Sequence, residues 1–170
     1  MPGFSLLDVV TGRNFQPADF QKGKGTLVIF LCRHCPYVVH VRNEIVRIAA
    51  EFAPDGLGTL AISSNDAVKY PDDAPDKLRE MAMELKWPFP LLFDENQKAA
   101  RSFGAVCTPD IFLYDGEDKL FYRGRLDAST PGNGQPVTGA DLRAAISALL
   151  SGSPAPDSQL PSIGCSIKWK

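Results

Sequence analysis

At 170 residues the chain is about one domain long, enough to bury a single core. Its 44% hydrophobic and 22% charged residues are ordinary for a globular protein, and a formal net charge of -2 argues against nucleic acid or an anionic membrane surface as the main partner. No apolar run approaches the ~18 residues of a membrane-spanning helix, and the opening MPGFSLLDVVTGR lacks the basic region and apolar core of a secretion signal, so the expected location is the cytoplasm.

In chain order, FSLLDVVTGRNFQPADF (4–20) predicts a small hairpin. The turn-like KGKG (22–25) then leads into TLVIFL (26–31), a continuous apolar run suited to a central strand covered on both faces. After it, Val38, Val41, Ile45, Ile48, Ala49 and Phe52 recur at helical spacing over 37–52. Pro36 is placed as the first helical residue, where its missing N–H costs nothing, and APDGLG ends the helix. TLAISS (59–64) predicts a second buried strand, DAPDKLREMAMELK (73–86) a helix, FPLLFD (89–94) a strand, and ENQKAARSFG (95–104) a short helix closed by glycine. DIFLYD (110–115) and KLFYRGRLD (119–127) flank the turn DGED as a hairpin, and GADLRAAISALLSG (139–152) is a last helix. The tail SPAPDSQLPSIGCSIKWK, rich in proline and serine, is expected to be irregular. The expected organisation is one α/β domain over 1–152 followed by a tail, 153–170, packed on it. Strands alternating with helices imply a sheet covered on both faces, with ligands at the carboxyl ends of its strands.

One such end carries the chemistry. FLCRHCPYV places Cys32 and Cys35 between a buried strand and a helix. In a reducing compartment a C-x-x-C pair is catalytic or metal-binding more often than a structural staple. The attacking species in disulfide chemistry is the thiolate, and the unpaired N–H groups of a helix N-terminus favour that anion. Arg33 and His34 add cationic or hydrogen-bonding character inside the same loop, and two adjacent thiols can attack a disulfide and then resolve the mixed intermediate. The first cysteine of a C-x-x-C pair is generally the nucleophile, which favours Cys32. Against this, Pro36 at the first helical position makes Cys35 the N-cap, so the assignment stays open.

A strand ending in C-x-x-C before a long helix, with a later Thr-Pro before a hairpin, resembles the thioredoxin superfamily. Within it, FLCRHCPYV, AISSND followed by YPDD, VCTPDIFLYD, YRGRLD and the ending GCSIKWK resemble the branch close to the alkyl hydroperoxide reductase and thiol-specific antioxidant group. The resemblance implies a thioredoxin-like fold and a cofactor-free thiol–disulfide oxidoreductase acting on protein disulfides with a thiol system as electron donor. It also implies that Thr108–Pro109 is a cis-proline loop facing the cysteine pair, with Cys107 close by and Asn65 and Asp66 bordering the active-site face. Two departures stand out. The buried acid of thioredoxin falls on Thr26, so proton handling must differ, with His34 a candidate. A peroxiredoxin would carry proline and threonine where Val28 and Cys32 stand, which argues against efficient peroxide reduction.

The other readings stay beside this one. Cys32, Cys35, His34 and His40 resemble a ligand set for copper or zinc, although His40 falls on the helix face shared with Glu44 and Arg47, expected to be solvated. Cys107 reads either as a small buried hydrophobe or as a redox residue, and Cys165 as a loose thiol or a relay brought back by a tail that Trp169 anchors. Asn65, Asp66 and Asp127 read most simply as caps of helices or turns, and Arg125 as a surface charge or a thiolate neighbour.

Overall fold

The structure, a computed structural model, describes residues 1–20 and 23–170. The first residue of the predicted KGKG turn, Lys22, lies outside them. In chain order the elements are β1 (Leu6–Asp8), β2 (Asn14–Phe15), β3 (Gly25–Phe30), α1 (Pro36–Phe52), β4 (Leu57–Ser63), α2 (Pro75–Glu84), β5 (Leu91–Phe93), α3 (Lys98–Phe103), β6 (Cys107–Thr108), β7 (Asp110–Asp115), β8 (Leu120–Gly124), α4 (Ala140–Ser151) and β9 (Cys165–Ser166). Among the described residues one mixed sheet runs β2-β1-β5-β4-β3-β7-β8, and β6 pairs separately with β9. The parallel β3–β4–β5 centre is flanked by antiparallel partners on both sides, the arrangement of a thioredoxin-like fold.

β3 sits in the middle, and its side chains alternate between two cores. Leu27 and Ile29 pack against α1, α2 and α4. Val28 and Phe30 pack against Phe103 of α3 and Ile167 from the chain's end. All four are fully buried, which is why an uninterrupted apolar run, rather than an alternating one, was the signature of this strand. The N-terminal hairpin, the central strands and the four helices fall where periodicity and turn residues put them, within a few residues.

Three differences have physical causes. The predicted helix over 73–86 starts two residues later, because Pro75 at its first position makes Ala74 the extended N-cap and leaves Asp73 in a preceding 3-10 turn. The face of α1 bearing Glu44 is not solvated. Glu44 is buried and paired with Arg47 at 2.9 Å and with Arg143 of α4 at 3.0 Å. Beside it His40 is half-buried, its Nε2 enclosed without a hydrogen-bond partner among the described residues. The tail, expected to be irregular, ends in β9, because Cys107–Thr108 offers it a free strand edge.

The packing makes a pH prediction. Burial pushes the pKa of Cys107 up from 9.0 to about 12, and those of Tyr114 and Tyr122 up from 10.0 to about 12. Folding therefore favours the neutral forms, a contribution fully present below pH 9 and lost as pH rises towards 12, because the unfolded chain releases these protons first. Each group adds a slope of up to ~1.4 kcal/mol per pH unit within that window. The urea midpoint of the reduced protein is expected to fall steadily between pH 9 and pH 12, and a flat profile there would contradict the burial of these groups.

Candidate active site

Strand β3 ends at Phe30, and the chain turns through Leu31–His34 into α1 at the sheet's carboxyl edge. Cys35 is the N-cap of the 17-residue α1, with Pro36 at its first position. Both sulfurs of the pair are inside: Cys32 is 1% exposed and Cys35 is fully buried. All four cysteines are free thiols. Across the site the Thr108–Pro109 peptide is cis. The Thr108 hydroxyl lies 3.4 Å from the Cys32 sulfur, and the Thr108 carbonyl accepts from the Cys35 thiol at 3.1 Å.

The two sulfurs are electrostatically unlike. The Cys32 thiol, donating towards Cys35, holds the Cys35 thiol well below its ordinary range, and burial opposes this. The Cys165 thiol and N–H and the Val38 N–H at the start of α1 add to the lowering. Cys32 moves the other way, raised first by its bond to Cys35, then by burial and by the Asp73 carboxylate, with the Thr108 hydroxyl opposing. The anion of the pair therefore belongs to Cys35, the N-cap residue, against the general rule that favoured Cys32. Cys35 has partners in both states: the Thr108 carbonyl accepts a hydrogen bond from the thiol, and four donors face the sulfur once its proton is gone.

Asp73 is the acid the sequence did not single out. Fully buried, it accepts from the Arg33 N–H and from the Asn65 amide, each at 2.7 Å. His34 Nδ1 lies 2.7 Å from Asp73 Oδ2 but off the axis of a ring N–H, an ionic contact rather than a directed hydrogen bond. Tyr70 stacks on the His34 ring at 5.8 Å. The 70–73 stretch thus supplies, from another part of the chain, the buried acid that Thr26 is not. Its trace in the sequence was YPDD, conspicuous only as part of the family resemblance. Arg33 reaches outward to Asp72 at 3.6 Å.

Asn65 and Asp66, expected to cap turns, also clamp the tail. The Asn65 carbonyl oxygen accepts from the Lys168 N–H at 2.9 Å, and the Asp66 N–H donates to the Lys168 carbonyl at 2.8 Å. The Asp66 carboxylate accepts from the Val68 and Lys69 N–H groups as a turn residue does. Gln97 holds the Lys168 carbonyl and the Lys170 N–H, and Arg101 stacks on Trp169 at 4.5 Å. Asp127 accepts from Ser129, Thr138 and Gly139 before α4, and Arg125 pairs with Asp141 at 2.6 Å rather than with a thiol.

The structure separates the two remaining cysteines. Cys107 is buried and aims its thiol at the Pro109 carbonyl of its own loop, 3.5 Å away. Cys165 is brought opposite Thr108 by the β6–β9 register and faces the Cys35 sulfur. As for metals, donors of Cys32, His34 and Asp73 come within 4.8 Å of one another. The 2.7 Å between His34 and Asp73 is a direct contact, and both Asp73 oxygens accept hydrogen bonds from Arg33 and Asn65. His40, the fourth suggested ligand, is not in this group. No helix is long and apolar enough to cross a membrane among the described residues.

The sequence pattern of the AhpC/TSA family matches residues 1–123. No curated protein matches the chain. Among solved structures, an uncharacterized conserved protein from Geobacillus kaustophilus is 48% identical, with a TM-score of 0.97 over 99% of this chain and 89% of that one. A hypothetical protein from Sinorhizobium meliloti 1021 is 43% identical, with a TM-score of 0.97 over 99% and 92%. A thiol:disulfide interchange protein of the thioredoxin family from Chlorobium tepidum TLS shares the fold at 19% identity, with a TM-score of 0.67 over 88% and 94%.

Proposed function

This chain belongs to the AhpC/TSA family, and from that premise we propose that it is a thiol–disulfide oxidoreductase cycling Cys32 and Cys35 between dithiol and disulfide. The net reaction moves two electrons and two protons between this pair and a disulfide, reducing a protein disulfide in one half-cycle and taking electrons from a thiol donor in the other. The proposed setting is a reducing compartment, the cytoplasm, and no cofactor enters the cycle.

The observation that carries this reading is the asymmetry of the pair. A sulfur at a helix N-terminus has its thiolate stabilised by a neighbouring thiol and by backbone N–H groups, and that neighbour is the second sulfur needed to close the cycle. The Thr108 hydroxyl and the Asp73–His34 contact lie beside Cys32, the sulfur that must give up a proton when the disulfide forms.

Insulin precipitation driven by dithiothreitol tests it. The wild-type chain is expected to accelerate precipitation, and Cys32→Ser, Cys35→Ser together should return the rate to that of dithiothreitol alone. Unchanged acceleration in the double variant would refute the assignment.

A thiol peroxidase is the second reading, favoured by the anionic character of Cys35 directly before Pro36. Consumption of hydrogen peroxide with a thiol donor, measured on the same preparation, decides between them.

A further inference from the structure

The reduced site is sealed. Cys32 and Cys35 are both buried, and the strand near the chain's end packs beside them on the Thr108 edge, with Cys165 against Cys35. β9 pairs antiparallel with Cys107–Thr108, the edge before the cis-proline, with Thr108 opposite Cys165 and Cys107 opposite Ser166. Gly164 lies so close to this edge that a Cβ there would sit 2.1 Å from the Thr108 carbonyl oxygen. Ile167 is buried in the core beyond, and its N–H donates to the Val106 carbonyl at 3.1 Å. Of the four cysteines, Cys165 alone is half-buried, and it touches both Cys35 and the surface.

Resting on the oxidoreductase reading above, we propose that Cys165 is a third redox sulfur, the one through which the buried pair exchanges electrons with its partners. The Cys165 thiolate attacks Cys35 in the Cys32–Cys35 disulfide. The Cys35–Cys165 bond forms, the Cys32–Cys35 bond breaks, and the proton lost by Cys165 ends on Cys32, whose departing sulfur is met by the Thr108 hydroxyl 3.4 Å away. A donor thiol then attacks the half-buried Cys165 sulfur, releasing Cys35. A second donor thiol frees Cys165 and leaves as the donor disulfide. The balance is one protein disulfide and two donor thiols converted to a protein dithiol and one donor disulfide, and the same steps in reverse reduce a substrate disulfide.

The electrostatics follow this order. Burial raises the Cys165 thiol to about 11, with the hydrogen bond and charge of Cys35 adding to the effect and Lys168 opposing it. Once Cys35 is tied into a disulfide its charge is gone, and Cys165 becomes more acidic when it is required to attack. Cys107 has no part in the exchange, since its thiol faces the Pro109 carbonyl.

Two variants test the proposal. Full-length Cys32→Ser, oxidised with diamide and mapped by non-reducing peptide mass analysis, is expected to contain a Cys35–Cys165 disulfide within one chain. Cys165→Ser is expected to slow insulin reduction about ten-fold while its Cys32–Cys35 disulfide still forms on oxidation. A Cys32→Ser chain that joins Cys35 to Cys107, or joins nothing within the chain, overturns the proposal. So does full insulin activity in Cys165→Ser, and either result leaves the oxidoreductase reading standing. Failure of Cys165→Ser to form the Cys32–Cys35 disulfide sinks that reading instead. Gly164→Val, which forces β9 off the Thr108 carbonyl, should lose the Cys35–Cys165 cross-link in the Cys32→Ser background although both cysteines are still present, and persistence of the cross-link there also overturns the proposal.

Discussion

Cys35→Ser is expected to lower insulin reduction by about three orders of magnitude, equivalent to ~4 kcal/mol of barrier, whereas Cys107→Ala should leave it within about two-fold, a barrier change below ~0.5 kcal/mol. The reason lies in what each sulfur faces. Cys35 is surrounded by donors that stabilise an anion, and a serine hydroxyl there stays protonated and cannot join a disulfide. Cys32→Ser differs in kind: it removes the buried partner of Cys35 but leaves Cys35 able to ionise and to join a disulfide with Cys165. Alkylation with iodoacetamide after unsealing the site by Gly164→Val separates the two thiols. Cys35 should react at a rate already level by neutral pH, while Cys32 responds only in alkaline solution, following the opposite directions of their shifts. Equal pH profiles for the two thiols would contradict the asymmetry on which the chemistry rests.

The second large effect belongs to Asp73. Asp73→Ala removes the acceptor of one buried and one partly buried hydrogen bond and leaves the Asn65 amide and the Arg33 N–H without it. Leaving a buried donor unpaired costs about 1–3 kcal/mol and a partly buried one less, so the variant should lose on the order of 2–4 kcal/mol, read as a lower urea midpoint. Asp73→Asn keeps the shape and removes the charge. Because the carboxylate is one of the groups that raise Cys32, this variant should bring Cys32 ionisation to lower pH, measured in a Cys35→Ala background in which the hydrogen bond from Cys32 to Cys35 is gone. An unmoved Cys32 profile would make Asp73 a purely structural residue.

Much of this architecture could be read along the chain because its signals are local. TLVIFL needs both faces covered, so its unbroken apolar character identified the central strand, and Pro36 fixed the start of α1 and with it Cys35 as the cap. What escaped was made by distant parts of the chain meeting. Asp73 looked like a helix-starting residue because its partners, Arg33 and Asn65, lie 40 and 8 positions away. Glu44 looked solvated because its cover, Arg143, comes from the last helix. The tail looked irregular because a two-residue strand has no periodicity, and only the open edge at Cys107–Thr108 gives it a shape.

The Asn65 side chain has a wider consequence. Its amide nitrogen holds Asp73 at 2.7 Å and its oxygen holds the Lys168 backbone at 2.9 Å, so one rigid planar group ties the carboxylate beside Cys32 to the chain's terminus. Two equilibria that share a fastener cannot be independent: protonation near Cys32 and detachment of the last residues must bias each other by equal free energies. A partner that peels the terminus away thereby retunes the proton affinity of a sulfur it never touches.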